Sequence, residues 1–310
     1  MSVLSQIGEF VLRIEKERGA KMAYFYLLLA NLLLSISSLF TQKVKGMQSV
    51  QMVYLRGIIL FILSWYFCWK QDLPSYSAQP GTNRGLFYRG FIAVAGSIPW
   101  FYGVRQLTLS EATSLYLTGP IFTGLFASYY LKERIDMVQV ISLVMCLFGT
   151  ALVLKPPFLF GTVDQVNTEG KNRMLGGICC LFTAFCLGAG YNVIRELRNK
   201  CHTLTIVKYY SLGTIIGTAP LMFLYPVAAP SLLEAVYILT LSLSFYGAQT
   251  LITRGLYLGK AGKTSLIGYS QILFTFTFDC IMQNYPDKLS VLGAICILSC
   301  VLGLFYEKKR

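Results

Sequence analysis

Apolar stretches, each about as long as a membrane-spanning helix, follow one another along almost the whole chain. A helix needs roughly 20 apolar residues to cross a bilayer, at 1.5 Å per residue. The pattern predicts an all-α integral membrane protein with ten transmembrane spans, which are numbered in chain order. The spans lie at 22–42, 50–69, 87–107, 112–131, 136–155, 174–194, 204–225, 234–253, 264–283 and 288–306.

Two internal segments of the chain align without gaps at an offset of 151 residues. Residues 112–115 then fall on 263–266, and Asp136 falls on Asp287. Five spans per half is an odd number, so the second half would enter the membrane in the opposite orientation. Inverted-topology repeats of this kind are typical of alternating-access carriers, whose substrate site lies near the bilayer midplane. The predicted segments are a leader at 1–21, repeats at 22–155 and 174–306, a linker at 156–173 and a basic tail at 307–310.

The leader is polar, but Ile7, Phe10, Val11 and Ile14 recur at helical spacing. This spacing predicts an amphipathic helix lying on the cytosolic membrane surface.

The placement of basic residues predicts the orientation. If the N-terminus is cytosolic, the cytosolic side carries eighteen of the 27 Lys and Arg residues and the far side carries seven. The remaining two, Arg56 and Lys208, fall inside spans. The positive-inside rule therefore predicts a multi-pass protein with both termini in the cytosol. It does not distinguish the plasma membrane from endomembranes.

Composition supports these assignments and excludes other classes. Charged residues make up 13% of the 310 residues, and mean hydropathy is +0.57, whereas soluble domains carry about 25% charged residues. The net charge of +13 follows the predicted loops, so nucleic acid is not an expected partner. The chain has one histidine, His202, and its nine cysteines form no C-x-x-C pair. We expect no metal site, no cofactor and no enzymatic activity.

Ionisable residues inside spans are candidates for function because each costs roughly 2.5–3.5 kcal/mol on insertion scales. Arg56, in span 2, could bind a carboxylate or phosphate through its planar guanidinium fork, or it could snorkel or pair with another helix. Asp279, in span 9, could bind a proton or pair with a basic residue. We predict Arg56 as a substrate ligand and Asp279 as a possible coupling residue.

Polar and aromatic residues that cluster within spans would be costly against lipid, so we expect them to face inward. They are candidate substrate-binding residues, although contacts among themselves would also satisfy them. The set comprises Tyr54, Trp100, Tyr102, Tyr116, Thr118, Asn192, Gln249, Tyr269 and Gln271.

Helix breakers also occur inside spans. Pro99, Pro120 after Gly119, the run 188–190 and Pro220 should loosen the backbone, which is tolerated where it is packed in protein or lines a cavity. Gly213 and Gly217 form a small-residue pair that favours close helix packing.

Several motifs resemble the drug/metabolite transporter superfamily with its EamA-type repeats. They are the run Phe101-Tyr-Gly-Val-Arg-Gln-Leu-Thr-Leu-Ser-Glu-Ala-Thr-Ser114, then Gly119-Pro120-Ile-Phe122 and Leu131-Lys-Glu-Arg134. More narrowly, Pro156-Pro157-Phe-Leu-Phe-Gly161, Gly247-Ala-Gln249 and Lys260-Ala-Gly262 look like solute-carrier family 35, G branch.

This resemblance implies a ten-helix fold with cytosolic termini and a central cavity formed mainly by spans 1–4 and 6–9. It implies structural roles for Pro120 and for Glu133, which would hold the turn between spans 4 and 5. The second half departs from the pattern, because Gln271 stands where a second proline would be expected and Asn284 replaces the acid.

The sequence thus predicts a secondary transporter, either a facilitator or an exchanger, for a small polar or anionic metabolite. The alternative is a membrane-embedded interaction or regulatory protein that has the same fold without transport. The expected partners are a small, anionic solute and the lipid bilayer, and a homodimer is left open.

Overall fold

Every element in the described part of the chain is a helix. The computed structural model describes residues 3–44, 46–74, 81–107, 109–130, 132, 137–154, 173–198, 200–223, 229–259, 264 and 266–281, together with 289, 291–293, 295, 296 and 299. The α-helices are α1 (Val3–Lys43), α2 (Ser49–Lys70), α3 (Thr82–Gln106), α4 (Leu109–Tyr116), α5 (Gly119–Tyr130), α6 (Met137–Leu154), α7 (Arg173–Glu196), α8 (Thr203–Met222), α9 (Leu232–Leu258) and α10 (Ser270–Ile281). A 3-10 turn, Ile267–Tyr269, precedes α10.

These helices correspond to the predicted spans with two differences. Span 4 is divided between α4 and α5, and the predicted leader continues into span 1, because α1 runs without interruption from Val3 to Lys43. Among the described residues, four segments are long and apolar enough to cross a membrane: 21–43 of α1, α2, 174–196 of α7, and α9. Nearly all of the predicted linker, most of the tenth span and the basic tail lie outside the described residues.

The predicted helix breakers have different structural consequences. The proline at position 99 lies inside the continuous helix α3, and Pro220 lies near the end of α8. The glycines at 188 and 190 lie within the continuous helix α7, where their missing side chains leave room for neighbouring helices. The backbone is interrupted between α4 and α5, next to Pro120.

The interruption in span 4 has a counterpart in the second half. Helix α4 ends at Tyr116 and α5 begins at Gly119. The 151-residue offset brings positions 116–118 onto the 3-10 turn Ile267–Tyr269, after which α10 begins. Spans 4 and 9 are therefore irregular at equivalent positions, although the second carries Gln271 where the first carries Pro120.

The main contacts between the two halves occur in matched pairs. Helix α1 packs on α9, and α3 packs on α7. At the 151-residue offset α1 corresponds to α7, and α3 corresponds to α9. Replacing each helix of the first contact by its counterpart therefore gives the second contact, and we call two such contacts an exchanged pair. Contacts of α2 with α9 and of α3 with α8 form a second exchanged pair, and α2 packs on its own counterpart, α8.

Glycines permit the closest approach between α3 and α8. A Cβ built at Gly213 would overlap the backbone of Gly90. A Cβ built at Gly217 would lie 2.7 Å from a side-chain carbon of Val94. The predicted Gly213–Gly217 pair thus lies at a helix crossing between the halves. Gly90, which Gly213 contacts, is the residue after Arg89.

Candidate functional site

A cavity lies between the halves. Most of its lining residues lie in the middle of α3, α7 and α9 and near the C-terminal end of α1, and α2, α4, α8 and α10 contribute one residue each. The cavity contains about 760 Å³ of space not filled by atoms, its opening included. Apolar clusters flank it toward both ends of these helices; one contains Leu27, Leu86 and Leu256, the other Met47 and Ile238. The polar and charged lining residues are Ser37, Ser38, Thr41, Arg56, Arg89, Ser97, Tyr116, Thr183, Tyr191, Tyr210, Gln249 and Gln271.

Arg56, from α2, is held by neutral groups on three sides. Only 2% of its surface is exposed. Its guanidinium carbon lies 4.0 Å from the centre of the Phe245 ring and 4.7 Å from that of Phe101, distances at which a cation is attracted to a π-face. One terminal nitrogen donates to Ser97 Oγ at 2.9 Å. The aromatic contacts and the hydrogen bond orient the guanidinium without neutralising its charge.

Arg89, from α3, is a second buried cation on the same cavity wall. It is 5% exposed, and its Nη2 donates to Gln249 Oε1 on α9 at 3.0 Å. Its guanidinium carbon lies 4.6 Å from the centre of the Tyr210 ring. Gly190 leaves room for this group, since a Cβ there would lie 3.0 Å from Arg89 Nη1. Arg89 is thus held mainly by residues of the second half.

Tyr210, on α8, links the two arginines. Its ring contacts Arg89, and its hydroxyl forms a 3.1 Å hydrogen bond with the same Ser97 Oγ that accepts from Arg56. Within the described part of the chain, no Asp or Glu lines the cavity and neither arginine forms an ion pair. In both arginines the Nε atom is buried without a hydrogen-bond acceptor. The site therefore combines two fixed positive charges with unused donor capacity.

Five of the residues predicted to bind substrate line this cavity: Arg56, Trp100, Tyr116, Gln249 and Gln271. Trp100 and Tyr116 contact each other, with their ring centres 4.8 Å apart. Gln271 is 2% exposed and lies in the first turn of α10. The interrupted spans 4 and 9 thus each place a residue on the cavity wall.

The other five residues of that predicted set lie outside the lining. The Asn192 amide donates to the carbonyl oxygens of Thr123 and Gly188, so it ties α7 to α5. Thr118 Oγ1 donates to the carbonyl oxygen of Leu115 where α4 ends. Tyr269 is fully buried in an apolar cluster. Tyr54 and Tyr102 are half-buried on α2 and α3 without reaching the cavity.

The residues predicted to have structural or coupling roles are only partly described. Pro120 is buried in the first turn of α5, directly after the interruption of span 4. Asp279 belongs to α10, but its side chain lies outside the described part of the chain, as does all of Glu133.

Sequence reasoning missed Arg89, Ser97 and Tyr210. The charge count assigned Arg89 to the cytosolic side because it lies only two residues inside the predicted start of span 3, whereas α3 begins earlier, at Thr82. The available signal was helical spacing, since Arg89, Ala93, Gly96, Ser97 and Trp100 follow one another along one face of α3. With Arg89 in the cavity, the predicted cytosolic side carries one basic residue fewer but still many more than the far side, so the predicted orientation does not change.

Comparison with known proteins identifies the domain that carries both arginines. The family model described as "EamA-like transporter family" matches residues 21–155. Residues 21–155 are an EamA family domain. This EamA domain contributes Arg56, Arg89 and Ser97 to the cavity, and the part of the chain after it contributes Tyr210 and Gln249.

Curated relatives extend the similarity beyond the EamA domain. Human "Solute carrier family 35 member G1" is 26% identical, over 93% of this chain and 80% of its own length. "Pseudopaline exporter CntI" of Pseudomonas aeruginosa is 25% identical, over 84% of this chain and 87% of its own length. The predicted resemblance to EamA-type transporters and to the G branch of solute-carrier family 35 is confirmed.

A solved crystal structure shares the fold. It superposes with a TM-score of 0.74 at 16% sequence identity and covers 90% of this chain and 94% of that chain. The family match and the curated relatives, together with the apolar helices, indicate a multi-pass membrane protein with a general role in solute transport.

Proposed function

We propose that the protein is a secondary transporter, a facilitator or an exchanger, that moves a small organic anion across a membrane by alternating access. The observation that carries this proposal is the pair of buried arginines, Arg56 and Arg89, on the wall of one cavity between the two halves. Charged groups at membrane depth are costly and mark substrate or ion pathways. Their described contacts are to Ser97, Gln249 and aromatic rings, which leaves the positive charge for a ligand.

The architecture that we propose is two inverted five-helix repeats, with both termini in the cytosol. Three observations support the repeats: the exchanged packing pairs between the halves, the interruptions of spans 4 and 9 at equivalent positions, and the family match over 21–155, close to the predicted first repeat. The position of the termini rests on the distribution of basic residues. Carriers built in this way hold their substrate where the repeats meet and rock around it.

The proposed substrate ligands are the arginines together with the polar and aromatic residues around them: Ser97, Trp100, Tyr116, Tyr210, Gln249 and Gln271. An anion would compete with Gln249 for Arg89 and with Ser97 for Arg56. Since both existing contacts are to uncharged groups, a carboxylate or phosphate would form the stronger, charge-assisted hydrogen bonds. Asp279 stays a prediction for proton coupling.

The named relatives support the transport half of the proposal. The Pseudomonas protein is named as an exporter and the human protein as a solute carrier. The alternative predicted from the sequence, a regulatory protein with this fold and no transport, becomes an outcome of the experiment below.

The experiment is uptake into liposomes that contain the purified full-length chain, with labelled succinate, lactate, methyl phosphate and glucose as probes. We expect uptake of at least one anion and none of glucose. Arg56→Ala and Arg89→Ala should each lower anion uptake about 10- to 100-fold, because a hydrogen bond to a charged group contributes roughly 1.5–3 kcal/mol.

The matched control is Arg84→Ala. Arg84 lies on α3 five residues before Arg89, but its side chain is exposed, so its loss should leave uptake unchanged. Unchanged uptake in Arg56→Ala and Arg89→Ala would remove these residues from the site. If no solute moves and none raises the melting temperature, the regulatory alternative replaces the transporter.

A further inference from the structure

We infer that the cavity selects a ligand with two negative charges over an isosteric ligand with one. This inference rests on the proposed function and specifies the charge class of its substrate. It comes from the pairing of Arg56 with Arg89 and not from either arginine alone.

The first step is that neither arginine loses its positive charge. Guanidinium groups do not lose their proton in proteins, and the described surroundings of both groups are neutral or aromatic. The two positive charges therefore remain in the cavity whatever the pH. At membrane depth each carries an insertion cost of roughly 2.5–3.5 kcal/mol, and the two like charges add to one another's cost.

The second step is that both groups belong to one site. They line the same cavity, and both interact with Tyr210, Arg89 through the ring and Arg56 through Ser97. The two guanidinium groups are thus connected through Ser97 and Tyr210. A ligand that binds one guanidinium sits within the electrostatic influence of the second.

The third step is donor capacity. Arg56 and Arg89 each keep a buried Nε–H group without an acceptor, although both side chains are at least 95% buried. A guanidinium binds a carboxylate or phosphate through two parallel N–H groups. Two such groups can each hold one anionic centre, or can share the oxygens of one doubly charged phosphate.

The consequence is a difference between ligands that differ only in charge. A dianion compensates both guanidinium groups, whereas a monoanion leaves one of them buried and uncompensated, a situation that is strongly unfavourable in protein interiors. The candidates are a short dicarboxylate and a phosphate monoester in its dianionic form.

The test uses two matched pairs of probes at pH 8 and fixed ionic strength: succinate against monomethyl succinate, and methyl phosphate against dimethyl phosphate. Binding to the purified full-length protein is measured by calorimetry and by the shift in melting temperature. We expect the dianion of at least one pair to bind at least about 10-fold more tightly than its monoanionic partner, since one further charge-assisted contact is worth roughly 1.5–3 kcal/mol.

Variants assign that preference to the pair of arginines. Arg56→Gln and Arg89→Gln each leave one cation, so each should reduce the preference to about threefold or less while the monoanion still binds. Arg84→Gln, which removes an exposed charge from the same helix as Arg89, should keep the wild-type preference. If one of the glutamine variants does not fold, the other variant and the wild-type comparison still decide.

Two outcomes would overturn the inference, and they are distinguishable from failure of the proposed function. Equal binding of dianions and monoanions by the wild type would remove the charge preference but leave an anion carrier. A preference that survives in both glutamine variants would show that it arises elsewhere in the cavity. If no member of either pair binds or is transported, the proposed anion transport fails as well.

Discussion

The two halves of the chain contribute unlike chemistry to one cavity. The first half supplies both guanidinium groups, from Arg56 and Arg89, with Ser97 and Phe101 beside Arg56. The groups of the second half that hold the arginines are all neutral: Tyr210, Phe245 and Gln249. Equivalent positions therefore do not carry equivalent residues, although the helices pack in exchanged pairs. If the proposed repeats are correct, a repeated scaffold provides the cavity, and the side chains that the halves do not share would determine what the cavity binds.

The same contacts connect binding to motion. Arg89 and Gln249 lie on opposite halves, and so do Ser97 and Tyr210. An anion that takes over these hydrogen bonds weakens the connection between the halves while it occupies the cavity. A ligand shifts a conformational equilibrium only through a difference in its affinity for the two states, and these contacts offer a physical origin for such a difference.

The largest expected effect comes from separating the halves at the crossing of α3 and α8. Gly213→Val would place a branched side chain against the backbone of Gly90, beside Arg89. Overpacking of this kind costs about 1–3 kcal/mol, and more where backbone cannot yield. We expect a clear drop in melting temperature in detergent and loss of anion uptake.

The control for that variant is Gly124→Ala on α5. A Cβ built at Gly124 has no atom within 4 Å, and alanine is the better helix former. This variant should be as stable as the wild type or slightly more stable. If Gly213→Val melts and transports like the wild type, the close crossing of α3 and α8 is wrong.

A smaller effect is expected at Tyr210, which links the two arginines. Tyr210→Phe keeps the ring on Arg89 but removes the hydroxyl that bonds Ser97. Ser97→Ala removes this hydrogen bond and also the one that Arg56 donates to Ser97. Tyr210→Phe should weaken anion binding by about 2- to 12-fold, as expected for one hydrogen bond of roughly 0.5–1.5 kcal/mol, and Ser97→Ala should weaken it more. Tyr210→Leu removes the ring as well and should weaken binding further.

The measurement is the affinity for the anion that the wild-type protein binds most tightly among the probes above. Combining Ser97→Ala with Tyr210→Phe should add little to Ser97→Ala alone, because Ser97→Ala already removes the hydrogen bond that Tyr210→Phe removes. Fully additive effects would mean that the two hydroxyl groups act independently and that Tyr210 does not link the arginines.

Much of the fold was predictable because a membrane span leaves a strong signal in one sequence window. The apolar stretches gave the helices, and Pro120 pointed to the interruption of span 4. The matching irregularity in span 9 was less visible, since Gln271 has a backbone N–H and does not itself break a helix. There the interruption depends on a neighbouring helix: the Asn31 amide on α1 donates to the carbonyl oxygen of Ile267.

The site was predictable only in part, for a related reason. Arg56 stood out because it lies six residues inside an apolar stretch. Arg89 did not, because it lies where α3 is amphipathic, with Tyr88 and Phe91 exposed on one face and the cavity on the other. Hydropathy cannot separate such a residue from a loop cation, and the roles of Ser97 and Tyr210 exist only after α3 and α8 pack.

The asparagines that support the two interrupted spans provide the next prediction. Asn31 donates to Ile267 O at 2.8 Å and to Ser270 Oγ at 2.9 Å, and Asn192 donates to Thr123 O at 3.1 Å. Asn31→Ala and Asn192→Ala should each destabilise the protein by about 1–3 kcal/mol, because a buried carbonyl group loses its donor.

The readout is thermal unfolding of the purified protein, with Thr277→Ala as the control. Thr277 is exposed on α10 and bonds only within its own helix, so its loss should change stability by no more than about 0.5 kcal/mol. If either asparagine variant matches this control, the corresponding interruption does not depend on the opposite half.

The smallest expected effect lies outside the spans, at His202 before α8. Burial and the nearby charge of Arg254 lower the pKa of His202 from its usual value, and the neutral ring accepts a hydrogen bond from the Leu204 amide through Nδ1. The folded protein thus binds the proton less tightly than the unfolded chain. The contribution of His202 to stability is complete above the unfolded pKa of about 6.5. It declines as the pH falls below that value and levels off below the lowered pKa of the folded state. His202→Asn keeps a good helix cap without titrating, so its melting temperature should fall less than that of the wild type between pH 7.5 and 5.

Parallel curves of melting temperature against pH for the two proteins would show that His202 titrates equally in the folded and unfolded states. The cap that His202 forms at the start of α8 would then contribute nothing to the pH dependence of stability.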